Sequence, residues 1–240
     1  MKLLTIEEIL SDAPGLFKEA LFNEEEKNEI LKKYLFHKYA FSKWKKYYLF
    51  WHYGNLIKEL EKLTVKNQSR SFLEVGCGTG STTIYFANKE SISLSVGIDL
   101  DPLRLQIAKK RAGWYHSDRC EFIEKNFLDI ELNQTFDTIY SMAAFELIQP
   151  REDALKIIVS LTGKNGQIIL DMANPYNRKS RSKHVTKDDL KYISSFFKDN
   201  GFNIHINSHS VLTGIDPTSF TTKIPYVNTF IRIHAYKFDM

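Results

Sequence analysis

From Ser71 to the end of the chain, short apolar runs alternate with stretches of helical spacing, and this alternation restricts the fold most. "SFLEVG" (from Ser71), "SLSVGID" (Ser93 to Asp99), "CEFIEK" (Cys120 to Lys125), "FDTIYSM" (Phe136 to Met142) and "QIILDMA" (Gln167 to Ala173) read as buried strands. Between them lie "STTIYFANK", then "DPLRLQIAKKRA", with Asp101 as N-cap and Pro102 at the first helical position. "PREDALKIIVSLTGKNG" follows as a helix closed by Gly163 and a turn. In "VTKDDLKYISSFFKDNGF", Thr186 caps, Asp189 stands three residues on, and Gly201 is the natural C′ residue. "FNIHINSH" and "TFIRIHAYKF" finish the chain with no helix between them, which predicts an antiparallel pair at one sheet edge. The expected fold is α/β: a doubly wound, mostly parallel, seven-stranded Rossmann-like sheet with helices on both faces.

Upstream, the pattern differs. Asn23 to Leu63 contains no proline and a single glycine, Gly54, and acids cluster at its start. The spacing predicts two or more helices, with breaks near 40–42 or Gly54. We divide the chain into an N-terminal helical cap, residues 1–66, and a sheet domain, residues 67–240. Hydrophobic residues at 43% fill a sizeable core, and a net charge of +4 is too small to argue for a nucleic-acid partner by itself. Only Cys77 and Cys120 occur, so there is no disulfide framework and no CxxC metal spacing. A reducing cytoplasm is expected, and no metal. Glu7 and Glu8 interrupt the start where a secretory leader is apolar, and no run approaches 18 apolar residues, so neither a leader nor a membrane helix is expected.

The stretch "LEVGCGTGSTT" (Leu73 to Thr83) holds the first functional signal. Gly76, Gly78 and Gly80 follow the first strand, where open α/β sheets bind ligands beyond the strand ends. A dinucleotide fingerprint needs a glycine at the sixth position counted from Gly76, and that residue is Ser81. Glu74 beside the loop would also repel a pyrophosphate and suits a cationic ligand. Asp99 ends the second strand and offers two acceptor oxygens side by side, as ribose hydroxyls require. A ribose-bearing ligand with a cationic portion and no pyrophosphate is therefore expected. S-adenosylmethionine, with an ammonium, a sulfonium and an adenosine, meets that description.

"LEVGCGTG", "VGIDLDP", "FIEKNFLDI", "FDTIYSMAAFELI" and "GQIIL" follow one another in the order typical of class I S-adenosylmethionine-dependent methyltransferases, and the chain resembles that family over roughly Ser71 to Phe238. The resemblance implies that Glu74, Gly76, Cys77, Gly78 and Gly80 hold the methionine end, that Asp99 takes the ribose hydroxyls and that Leu100 packs on adenine. It implies Asn126 at the adenine amino group, where the family often has Asp, and Phe127 offering its N–H and some stacking surface. Ser141 would present a main-chain carbonyl to the ammonium.

Methyl transfer needs alignment and sometimes one base, so acceptor identity leaves a faint trace. "FSKWKKYYLFWHYGN" (Phe41 to Asn55) carries seven aromatics, including Trp44, Tyr48 and Trp51, more than one narrow helix face needs. We expect some to cover the cofactor and shape an acceptor pocket, with Tyr176 contributing. Base candidates are His52, His116, His184, His205, His209, His234, Glu146 and Tyr176, with Glu146 and His52 preferred for acceptor contact. "ANPYN" (Ala173 to Asn177) follows the fifth strand, whereas the base-amine signature it imitates follows the fourth, so it reads as a loop. "NRKSRSKH" (Asn177 to His184) offers four cations that could meet phosphates. The expected activity is methylation of an O, N or C nucleophile of a small metabolite. RNA or protein methylation, or cofactor binding without methyl transfer, stands as the alternative.

Overall fold

The computed structural model describes residues 23, 25, 56–176, 185–209 and 230–237. The aromatic stretch, with Trp44, Tyr48, Trp51 and His52, lies outside these residues. So do the basic stretch 177–184 and His184.

Helix α1 (56–66) leads into β1 (Ser71–Val75), α2 (Ser81–Ala87), β2 (Leu94–Asp99), α3 (Pro102–Trp114), β3 (Cys120–Glu124) and β4 (Phe136–Met142). Next come α4 (Arg151–Ser160), β5 (Thr162–Ala173), α5 (Lys187–Asp199), β6 (Asn203–His209) and β7 (Phe230–Tyr236). The strands form one seven-stranded sheet in the order β3-β2-β1-β4-β5-β7-β6. Pairings from β3 to β5 are parallel, while β7 runs antiparallel to both β5 and β6. The expected fold class is the observed one.

Alternation along the buried strands builds a core on each face. Leu73, Val75, Ile139, Ile168 and Leu170 meet α4 and α5 through Leu155, Ile158, Ile193 and Phe197. Phe72, Tyr140 and Ile169 point the other way, onto Ile57 and Leu60 of α1 and onto Ile84 and Phe86 of α2. Residues 56–66 are thus a layer helix of the sheet.

Local signals set the helix ends. Asp101 accepts from the N–H groups of Leu103 and Arg104, and Thr186 and Asp189 form a reciprocal capping box. The strand after α4 begins earlier than its apolar run. Thr162 already pairs with Phe136, and the register then jumps so that Thr138 faces Gln167. The turn between is tight enough that a side chain on Gly166 would come within 2.7 Å of Thr162.

Candidate active site

Strand order reverses between β1 and β4, which opens a crevice at their carboxyl ends. The glycine loop fills its rim. The N–H groups of Gly76 and Cys77 both donate to the Ile98 carbonyl, at 2.8 and 3.0 Å, and so bend the loop toward β2. Gly76 has φ +76, and a Cβ there would sit 2.1 Å from Cβ of Ala144. No side chain fits, so the main chain after β1 lies directly against the turn after β4. Gly80 likewise rests on the Phe122 ring, with 2.8 Å left for a Cβ.

Asp99 holds this loop and remains partly open to solvent. Its Oδ2 accepts from the Gly78 N–H at 2.7 Å, and its Oδ1 accepts from the Asp101 N–H at 2.9 Å. Each carboxylate oxygen keeps acceptor capacity beyond one such bond. Leu100 beside it is 68% exposed.

Glu74 is buried, and its Oε2 accepts from the Thr83 N–H at 2.9 Å and the Thr83 hydroxyl at 2.5 Å. It thereby supplies α2 with the cap that Gly80 lacks. Burial raises its pKa to about 7, against the hydrogen bonds from the Thr83 and Thr82 side chains, which lower it. Cys77 packs its sulfur over Gly97, and burial, with the Glu74 charge adding to it, pushes the thiol far up so that it stays protonated. Ser141 is buried, donates its hydroxyl to the Val75 carbonyl at 2.8 Å and accepts from the Phe145 N–H at 3.0 Å.

A half-open carboxylate at one strand end, an exposed leucine next to it and a glycine-rich loop form a fitting cradle for a nucleoside with a compact polar tail. A sequence-family model for a methyltransferase domain matches residues 66–224, more than half of the chain. The chain belongs to the class I S-adenosylmethionine-dependent methyltransferase family.

Among similar proteins of this methyltransferase family, a ribosomal protein L11 methyltransferase from Clostridium botulinum is 40% identical over 74 residues, 31% of this chain and 23% of its own. A malonyl-[acyl-carrier protein] O-methyltransferase from Ilyobacter polytropus is 26% identical over 164 residues, covering 68% of this chain and 60% of its own. Both matches thus span less than two thirds of the relative's length. In fold, the chain is similar to the plantazolicin methyltransferase BpumL, solved with a pentazolic desmethylPZN analog and S-adenosylhomocysteine. The TM-score is 0.59 at 16% identity, over 98% of each chain.

Residues expected at adenine divide by exposure. Asn126 is exposed, and its side-chain oxygen accepts from the Leu128 N–H at 3.2 Å, capping the short 3-10 turn Phe127–Asp129. Phe127 is 4% exposed and belongs to the core, so its ring offers little stacking surface.

The β4–β5 side of the crevice is organised by other residues. Glu146, in the 3-10 turn Phe145–Leu147, is buried, and its Oε2 accepts from the Ala173 N–H at 2.7 Å. Its carboxylate thus joins the turn after β4 to the end of β5. Arg151 donates to the Glu146 carbonyl at 3.1 Å and pairs with Asp189 of α5. Hydrogen bonds from Thr186 and the Arg151 charge hold Asp189 below the usual carboxylate range, although burial works against them. Tyr176 follows an Asx turn in which its N–H donates to Asn174, and the Lys187 ammonium lies 4.7 Å from its ring centre.

The histidines scatter. His234 is buried against Gln167 at 2.8 Å, and burial, with Arg232 nearby, lowers its pKa to about 3. It stays neutral at any ordinary pH. His205 is exposed on β6, and His116 is exposed in a left-handed turn after α3. His209 ends β6.

Besides Arg151, sequence reasoning missed two more buried arginines. Arg232 of β7 binds Asp171 through two nitrogens, at 2.7 and 2.6 Å, and Tyr140 donates to the same carboxylate at 2.8 Å. Arg111 of α3 reaches the glycine loop. Its one signal is position: it falls on the stripe with Leu105, Ala108 and Ala112 that α3 buries. Among the described residues, no three His, Cys, Asp or Glu group to hold a metal ion. No described helix is long and apolar enough to cross a membrane.

Proposed function

We propose that this chain transfers a methyl group from S-adenosylmethionine to an oxygen, nitrogen or carbon nucleophile of a small molecule. The reading is supported above all by the glycine loop, held by Asp99 against a turn that leaves Gly76 no room for a side chain. When bound, S-adenosylmethionine supplies a methyl on a sulfonium, already a good leaving group. The residues of this chain supply binding and alignment. Asp99 accepts the ribose hydroxyls, and Leu100 covers one face of the base. Glu74, ionised by a nearby cation, offsets the charge of the amino-acid end together with the Ser141 main chain. Gly76, Cys77, Gly78, Gly80, Asn126 and Phe127 present backbone to the ligand.

For the acceptor, we assign Tyr176 and the aromatic stretch with Trp44, Tyr48, Trp51 and His52, as a cap carried by the N-terminal division 1–66, whose last helix, 56–66, anchors it on the sheet. Glu146 stands in this half as the anchor of the turn that faces the acceptor. Free thiols at Cys77 and Cys120 support a reducing, cytoplasmic setting.

Calorimetry with S-adenosylmethionine and S-adenosylhomocysteine tests cofactor binding, and no saturation on folded protein would end this reading. Incubation with methyl-labelled cofactor and cell extract then tests the acceptor class. Label in the small-molecule fraction is expected. A protein acceptor is the second reading, favoured by the 40% identical stretch shared with the ribosomal protein L11 enzyme, and label in protein would establish it. Binding without transfer to any fraction would mean a cofactor-binding protein.

A further inference from the structure

Arg111 is 1% exposed and lies 32 residues from the loop it touches. Its Nη1 donates to the Thr79 carbonyl at 2.7 Å, to the Thr79 hydroxyl at 3.3 Å and to the Ser81 hydroxyl at 2.9 Å. Thr79 sits between Gly78 and Gly80, both at positive φ. A loop of alternating glycines has little intrinsic preference for one path, so its shape must be imposed from outside. Two charged groups impose it here. The Asp99 carboxylate accepts from the Gly78 N–H, and the Arg111 guanidinium donates to the carbonyl one residue further on. Hydrogen bonds to ionised groups are about twice as strong as neutral ones. The two act with opposite sign on peptide units that flank the Gly78–Thr79 bond, so that unit is fixed in height and tilt.

We infer that Arg111 is a positioning residue for cofactor binding: buried under the loop, it holds the glycine backbone in its binding-competent shape before any ligand arrives. This rests on the cofactor reading above, and it predicts a property of the ligand-free chain as well. Asp99 also offers its open side to the ligand, whereas the three Arg111 contacts given above all go to the loop.

The test compares Arg111→Met with Arg119→Met in the full chain. Arg119 also donates to loop carbonyls, those of Ile92 at 2.6 Å and Lys89 at 3.1 Å, at the amino end of β2. Without ligand, amide exchange over residues 74–83 is expected to quicken about tenfold or more in Arg111→Met and to stay at the wild-type rate in Arg119→Met. The dissociation constants of S-adenosylmethionine and S-adenosylhomocysteine should rise together, by about tenfold, only in Arg111→Met. Wild-type exchange and affinity in folded Arg111→Met would overturn the assignment. Wild-type protein that binds neither nucleoside would instead remove the cofactor reading, while the exchange result still decides the role of Arg111. Should Arg111→Met not fold, Arg111→Lys takes its place. It keeps the buried charge but loses the planar fork, so an intermediate exchange rate is expected and unchanged exchange overturns the inference.

Discussion

The two halves of the crevice are built on different principles. On the β1–β2 side, the crevice rim is mostly main chain: a loop with glycine at every second position, steered by one carboxylate and braced by one guanidinium. On the β4–β5 side, the surface is set by ties between distant parts of the chain. Glu146 joins the two strand ends, and Arg151 adds α5. A backbone cradle fixes one ligand and tolerates little change. A wall of side-chain ties changes when a few residues are exchanged.

The two halves touch most tightly at Gly76. A valine there meets Ala144 and needs a left-handed backbone, and overpacking with that conformation costs about 2–5 kcal/mol. Chemical denaturation should show this loss, and calorimetry on the remaining folded protein should show no nucleoside binding. An unchanged midpoint would mean that the two halves are not in contact at this point.

Glu74 sharpens the comparison through pH. Its folded pKa of about 7 lies above the usual 4.5, so the folded chain holds the proton more tightly than the unfolded one. Its contribution to stability is complete below pH 4.5 and is lost as pH rises through 7, a swing of about 3 kcal/mol. Glu74→Gln, which keeps an acceptor for Thr83, should flatten melting temperature against pH across this window. Binding of the cationic cofactor near pH 7 should also release a proton from the wild type and none from the variant. Calorimetry in buffers of different ionisation enthalpy reads that difference.

Asp99→Asn should weaken binding of S-adenosylhomocysteine by about 10- to 100-fold, since bonds to a charged acceptor contribute about 1.5–3 kcal/mol. Glu146→Ala supplies the opposite case. It leaves the Ala173 N–H without its acceptor, and the expected cost is about 1–2 kcal/mol of stability. Nucleoside affinity should stay within about twofold. A large loss of affinity in this variant would erase the distinction between the halves.

What could be read from the sequence follows the same division. The glycine loop, Asp99, the Asp101 cap and the Thr186–Asp189 box are contiguous patterns whose physics is complete within a few residues. The antiparallel edge was legible because no helix separates the last two strands. Glu146 was placed after the fourth strand, but the direction of its carboxylate depends on Ala173, 27 residues away. The early start of β5 at Thr162 required the Phe136 partner. Likewise, Asp171 and Arg232 read as ordinary strand residues until β5 and β7 lie side by side.

The last described strand in the chain is not at the rim. β7 lies between β5 and β6, and it brings the guanidinium that neutralises Asp171. Without β7, β6 has no strand to pair with, β5 keeps a bare edge, and Asp171 retains Tyr140 but loses its guanidinium. A chain broken off before β7 therefore carries an adhesive border.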